Sequence, residues 1–433
     1  MKTEGWDTIV VGSGAGGATV ARELSRSGKK VLLMESGRNH EWIGNTLAAG
    51  LYTDKMGLRR SREGMLILRA LTTGGSTLIY GACATRPPVW LQQEYGIDLK
   101  GQVRDTETDL NPTPTPEHLV GSGVRRIMEA ANRLGFEWKV FPKFVDHKKC
   151  VPDCWACMLG CTRGAKWTAR NYIEEATENG GCLQTRCTAE SILQRKGKAI
   201  GIRGKMNHRP FEVFGKTIVV AAGGLGTPVI LRKSGIRDAG ESLFCDPMVM
   251  IYGSSQNMGN GYDIPNTAGS FKFHEREGIF LADFVDPRFM FPIQMVLKGV
   301  KYLPRWFEYG RILGILVKIK DTPDGRVHDD GSFSKPLSME DLKRMDRGMS
   351  LAGQILGEAG VKRSTILSTR IRGAHPGGTA PIGRVVDPNL ETRVKNLFVC
   401  DASVLPKPLA SPQVLTLVAL AKRLAGHLER ILE

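Results

Sequence analysis

Two sets of residues in this chain have types and spacing that could do chemistry. Gly12, Gly14 and Gly17 form a GxGxxG run, with Ala15 inside it, directly after an apolar stretch at 8–11. The first glycine permits a tight turn, the second lets the backbone approach a pyrophosphate, and the third lets helix and strand pack closely. Eighteen residues beyond Gly17, Glu35 closes a second apolar stretch, where a carboxylate can accept hydrogen bonds from a ribose diol. A negative charge there argues against a 2′-phosphate; on this motif alone both FAD and NAD stay open. The second set is Cys150, Cys154, Cys157 and Cys161, four of the chain's nine cysteines, spaced CxxxCxxCxxxC. Soft thiolates at such spacing suit an iron–sulfur cluster or tetrahedral zinc, with disulfides or free thiols as the plainer readings. A [4Fe–4S] cluster is the expectation.

The elements around these residues are read from periodicity. Residues 8–11 form a buried strand, 16–27 a helix with apolar Ala18, Val20, Ala21 and Leu24, and 30–34 a second strand, which together make one βαβ unit. A glycine-rich loop spans 72–76, a helix is expected over 119–134, and the strand-like 216–222 runs into Gly223, Gly224 and Gly226, a second strand-to-helix turn. A strand at 397–399 and a helix over 414–431 return the chain to the nucleotide-binding unit, while 248–319 differs in texture and is taken as part of a separate substrate domain.

With 433 residues, 41% of them hydrophobic, the chain can fill two or three domains. The net charge of +16 suits an anionic cofactor, membrane surface or acidic partner. Nucleic acid is not the expected partner, because the basic residues are spread out and no zinc-finger or helix-turn-helix spacing accompanies them. Apolar runs stop short of the roughly 18 residues a membrane span needs. No signal peptide precedes the first strand, so a cytoplasmic protein is expected. The stretch 289–320 interleaves aromatic residues with lysine and arginine, which suits contact with a partner or with the inner face of a membrane, or else ordinary substrate-domain core with solvated basic edges.

Four further segments resemble the glucose-methanol-choline (GMC) oxidoreductases. Gly74, Gly75, Ser76 and Thr77 resemble a loop beside the flavin, residues 223–236 the family's second signature, and Asp401, Ala402 and the residues up to Pro406 its late FAD-binding strand and turn. His375, followed by Pro-Gly-Gly-Thr, resembles the HxxGT segment whose histidine faces the flavin. The resemblance implies an α/β fold: a Rossmann-type FAD-binding domain with a smaller α+β substrate domain built on an antiparallel sheet. The boundaries drawn are 1–237 with a cysteine insert at about 145–166, then 238–374, then 375–433 in return to the first domain.

It also implies FAD-dependent oxidation of an alcohol-type substrate, a small molecule, with His375 as the base that accepts the hydroxyl proton; a neutral imidazole can do so near neutral pH. Taken alone, His375 would read as a turn histidine bonded to backbone. Ser411 stands where the family has Asn or His before proline, and Tyr80 where it often has Asn. Serine is shorter than either, so Ser411 is a candidate catalytic partner that departs from the pattern. Cys187, Ala222 and Pro412 complete the candidate cofactor contacts. A cluster would pass electrons to a protein or quinone acceptor; the other readings are an electron-transfer subunit of a larger redox complex, and a binding protein with structural FAD and zinc.

Overall fold

The computed structural model describes residues 5–433. The elements that position the site are, in chain order, β1 (Trp6–Val11), α1 (Ala15–Arg26), β2 (Val31–Met34), α2 (Thr46–Tyr52), β3 (Arg209–Val220), α3 (Gly223–Lys233), β4 (Pro247–Ser254), β5 (Ile279–Asp283), α4 (Phe291–Lys298), β6 (Ile312–Ile319), α5 (Met339–Glu358), β7 (Leu397–Val399) and α6 (Val414–Leu432). The expected βαβ unit is present within a residue or two at each end.

The first sheet runs Cys182–Gln184, β2, β1, β3, with β7 on the far side of β3, all parallel. Its strands are apolar on both faces, as a parallel sheet buried on both sides requires; Ile9, Val10, Leu32, Ile218, Val219 and Phe398 are wholly or almost wholly buried. β3 is longer than the strand expected at 216–222. Its first half pairs antiparallel with Lys198–Met206, which pairs with Cys187–Arg195.

The second sheet centres on β4, β6 and β5, antiparallel to one another. Two short strands from the first 237 residues, Leu66–Ile67 and Lys139–Val140, join it at its ends. Side chains alternate between the faces of a strand, and the two faces here have different tasks. Val249, Ile251, Leu281, Ile315, Val317 and Ile319 pack with Leu351, Ala352 and Ile355 of α5. Met250, Tyr252, Phe280, Ala282 and Leu316 face the other way, into the space between the two sheets. The stretch 289–320 therefore divides: its last quarter is the central strand β6, fully buried, and only 289–311 lies near the surface. No helix among the described residues is long and apolar enough to cross a membrane.

Candidate functional site

A cavity of about 1250 Å³ lies between the sheets, larger than the roughly 300–1000 Å³ typical of small-ligand pockets. One end is made of backbone. Gly12 turns the chain at φ +100°, and a Cβ there would stand 2.2 Å from the Ala221 carbonyl oxygen; a Cβ on Gly17 would stand 1.9 Å from the Gly12 oxygen. Gly14, with open space around it, begins α1 without a side-chain cap, so first-turn N–H groups are left for a ligand. Gly12, Gly14 and Ala15 line the cavity, whereas Gly17 seats α1 against β1 from behind.

Glu35 ends β2 as expected and lines the cavity. One carboxylate oxygen accepts from Ser13 N (3.1 Å) and Ser13 Oγ (2.6 Å), the other from Gly37 N (2.7 Å), so it braces the glycine turn. Gly74 N–H donates to Ser13 Oγ at 3.2 Å, which lays the second glycine loop on the first; Gly75, Ser76 and Thr77 line the cavity and Gly74 supports them. Cys187, Ala222, Asp401, Ala402 and Pro412 line it as well. Asp401 accepts from Gly223 N (2.8 Å) and Ser403 N (2.8 Å), tying the end of β7 to the start of α3. An elongated trough with glycine-lined backbone, a helix N-terminus and a terminal carboxylate fits FAD.

The other end is made of side chains. His375 sits in a loop pinned on both sides: its N–H and that of Ala374 donate to the Cys245 carbonyl, and Thr379 Oγ1 donates to Gly224 O at 2.8 Å. His375 Nδ1 lies 2.9 Å from Asp246 Oδ2; the Asp246 side chain is fully buried, and 23% of the His375 side chain stays accessible from the cavity. An ionised carboxylate only accepts, so Nδ1 carries the proton and Nε2 keeps its lone pair for the cavity. Burial pushes the His375 imidazole below its usual range, Lys318 adds to this, and Asp246 opposes it. Asp246 itself adopts φ +43° and is held by Asp321, whose carboxylate accepts from Cys245 N and Asp246 N at 3.0 Å each and pairs with buried Lys335 at 3.3 Å.

Lys318 comes from β6, opposite Met248 of β4 and Phe280 of β5 in register. That parity turns it into the cavity. Among the described residues it makes no hydrogen bond, and its ammonium lies 5.9 Å from the Phe280 ring; burial lowers its pKa. Beside it the chamber is walled by Met158, Met248, Met250, Phe280, Phe284 and Leu316. Neither Asp246 nor Lys318 was expected from the sequence. Ser411 is buried and is not among the cavity-lining residues, whereas its neighbours Pro412 and Gln413 are; the side chain hydrogen-bonded to His375 is that of Asp246.

The four-cysteine cluster finds no support in the structure. Among the described residues no three Cys, His, Asp or Glu side chains close on a common centre, and all nine cysteines are free. Cys157 is buried with Leu119 and Ile264, with Cys150 and Cys154 half-buried against them, and Cys150 and Cys161 both touch the core of the first sheet. The tight turn at Trp155–Leu159, followed by Gly160 at φ +88°, joins Cys157 to Cys161, whose thiol still lies near enough to Cys154 to raise it. Burial raises the Cys150 thiol to about 11, and the neighbouring Cys157 and Cys154 add to this. The segment instead walls the chamber: Met158 lines it, Leu159 O accepts from Tyr52 Oη at 2.6 Å, and Cys157 O accepts from buried Lys166 at 2.6 Å.

The chain is 27% identical to an uncharacterized GMC-type oxidoreductase of Mycobacterium tuberculosis, over 97% of this chain and 75% of that one. It is also 27% identical to an uncharacterized protein of Methanocaldococcus jannaschii, over 96% and 98%, and 24% identical to a long-chain-alcohol oxidase of Arabidopsis thaliana, over 96% and 67%. Among solved structures, pyridoxine 4-oxidase from Mesorbium loti shares the fold with a TM-score of 0.72 at 16% identity, covering 98% of this chain and 99% of that one. Profiles of the GMC oxidoreductase family match residues 6–248 and 321–421, and the chain belongs to that family, flavin-dependent oxidoreductases acting on CH–OH donors.

Proposed function

We propose that this chain oxidises an apolar alcohol, with His375 as the base that takes the hydroxyl proton and Asp246 as the group that positions it. The observation that carries the reading is the His375–Asp246 contact at the wall shared by the glycine-lined trough and the apolar chamber. FAD, held by the loops at 12–17 and 74–77, by Glu35 and by the turn at 401–402, supplies the hydride acceptor. The chain's own residues supply the rest. His375 Nε2 receives the proton, Asp246 stabilises the imidazolium that results, and Lys318 offers a cation where negative charge develops on the substrate oxygen. The methionine and phenylalanine walls exclude water and take an apolar body.

The cysteine relay is the ground on which a protein or quinone acceptor is expected, and without a converged ligand set the proposal includes neither the [4Fe–4S] cluster nor an acceptor chosen for it. Contact of the surface part of 289–320 with a membrane belongs to the same reading, since a water-poor substrate has to be collected from a lipid phase. The test is anaerobic mixing of the flavin-loaded protein with primary alkanols of increasing chain length. Bleaching of the flavin band that quickens with chain length is expected. Failure of every alcohol to bleach it sinks the proposal, and electron transfer that survives His375→Ala would favour the electron-transfer-subunit reading instead.

A further inference from the structure

Two segments remote in sequence, 42–60 and 288–307, carry eleven of the eighteen large hydrophobic side chains exposed among the described residues. Leu47 is 76% exposed, Val300 72% and Phe307 88%, with Trp42, Met56 and Ile293 about half exposed or more. Leaving so much apolar surface in water is costly, and a concentration of it marks a contact surface. The segments are neighbours in space. Met290 packs on the small cluster of Ala48, Ala49 and Tyr52 that carries α2, and α4 packs on the tight helical run Val300–Arg311 that follows it.

Charge selects the partner. From 288 to 307 there is no acidic residue, against Arg288, Lys298, Lys301 and Arg305. Within 42–60 the one acid, Asp54, is buried and paired with Arg69 at 2.8 Å, leaving Lys55 and Arg60 exposed. Apolar side chains set among cations of which Arg305 alone is ion-paired, to Glu308 at 2.8 Å, match an anionic lipid leaflet, where each Lys or Arg near the surface adds attraction and the apolar tips enter the headgroup boundary. Position supplies a use. Leu51 is 63% exposed and also lines the cavity, as does Arg59, so the cavity reaches the surface within this patch.

We propose that this patch seats the protein on an anionic bilayer and, resting on the alcohol-oxidation reading, that the chamber draws its substrate alcohol from the leaflet through the opening beside Leu51. Docking needs no turnover, so the two readings can fail separately.

The experiment is co-sedimentation of the flavin-loaded full chain with vesicles of equimolar phosphatidylcholine and phosphatidylglycerol, and with vesicles of phosphatidylcholine alone, at low and high salt. The double variant Val300→Asp/Phe307→Asp is run beside the parent, with its bound-flavin absorbance as the check on folding; both side chains point outward and neither lines the cavity. The expected result is pelleting with the mixed vesicles at low salt, and partition lower by about tenfold or more with neutral vesicles, in high salt and for the variant. Absence of pelleting overturns the proposal. So does equal pelleting of parent and variant, which would place binding elsewhere on this basic protein. A parent that sediments as a dimer where the variant is a monomer would also overturn it, because a second copy would then be what covers the patch.

Discussion

The two ends of the cavity are built by different means. The trough from Gly12 to Glu35 is made of backbone: positive-φ turns, first-turn N–H groups, and glycines whose Cβ would collide with a neighbouring carbonyl. The chamber around His375 is made of side chains that arrive from β4, β5, β6 and a separate loop. A backbone site tolerates almost no substitution at its glycines but asks little of distant residues. A side-chain site tolerates a change at each position but depends on register between strands far apart in sequence. Substitutions in the chamber are therefore expected to alter chemistry and leave the cofactor in place, and substitutions in the trough to do the reverse.

The sharpest break in the chamber is His375→Ala. Flavin reduction by an alcohol should slow by about 10²–10⁴-fold with bound FAD unchanged, measured by stopped-flow bleaching and by flavin released on denaturation. Lost flavin in that variant would erase the distinction between the two ends. The corresponding break in the trough is Gly17→Val. Its Cβ would stand 1.9 Å from the Gly12 oxygen, so α1 must shift; the purified protein should lack FAD and melt at a lower temperature, by overpacking worth about 1–3 kcal/mol. Full flavin content would show that the turn is not what holds the cofactor.

Smaller effects sharpen the account of His375. Its imidazole is depressed by burial and Lys318 and raised by Asp246, and the neutral form is the base. The parent rate should therefore be at its plateau above the ordinary histidine value and fall as pH drops through the lower pKa of the folded enzyme. Lys318→Met removes a repelling cation, so the midpoint of that fall should move to higher pH. Asp246→Asn removes a stabilising anion, so the midpoint should move to lower pH, with a slower plateau as well, because an amide no longer enforces the Nδ1–H tautomer. Midpoints that shift in the same direction would show that the two residues do not face one imidazole. The smallest expected signal is iron: anaerobically purified protein should contain none in stoichiometric amount, and about four irons per chain would restore the relay.

The trough was legible because its parts are local. Gly12, Gly14 and Gly17 lie within one turn and one helix, and Glu35 follows at the length of one βαβ unit, so spacing in sequence maps onto spacing in the fold. His375 was legible through resemblance. Asp246 was not: it stands 129 residues from His375, and only a left-handed turn after Cys245 aims it there. Lys318 lay in plain view as the one charged residue of an eight-residue apolar strand. A lone lysine in such a run is the signal that would have found it, since a buried ammonium needs either a partner or a cavity. The cysteines show the opposite failure. Their spacing was regular, but regular spacing does not by itself bring four thiols onto a common centre, and the described residues form none.

The alternation of β6 bears on how this enzyme can change over generations. Every second residue of the strand packs toward α5 and the intervening ones face the other way, Leu316 and Lys318 into the cavity, so the two sets can be altered independently by point substitution. Inserting or deleting a single residue would swap them, driving Lys318 under the helix and Val317 into the chamber. New specificities in this lineage are thus open to exchange of side chains at Met248, Met250, Phe280 and Leu316, and closed to changes of length in the strands that carry them.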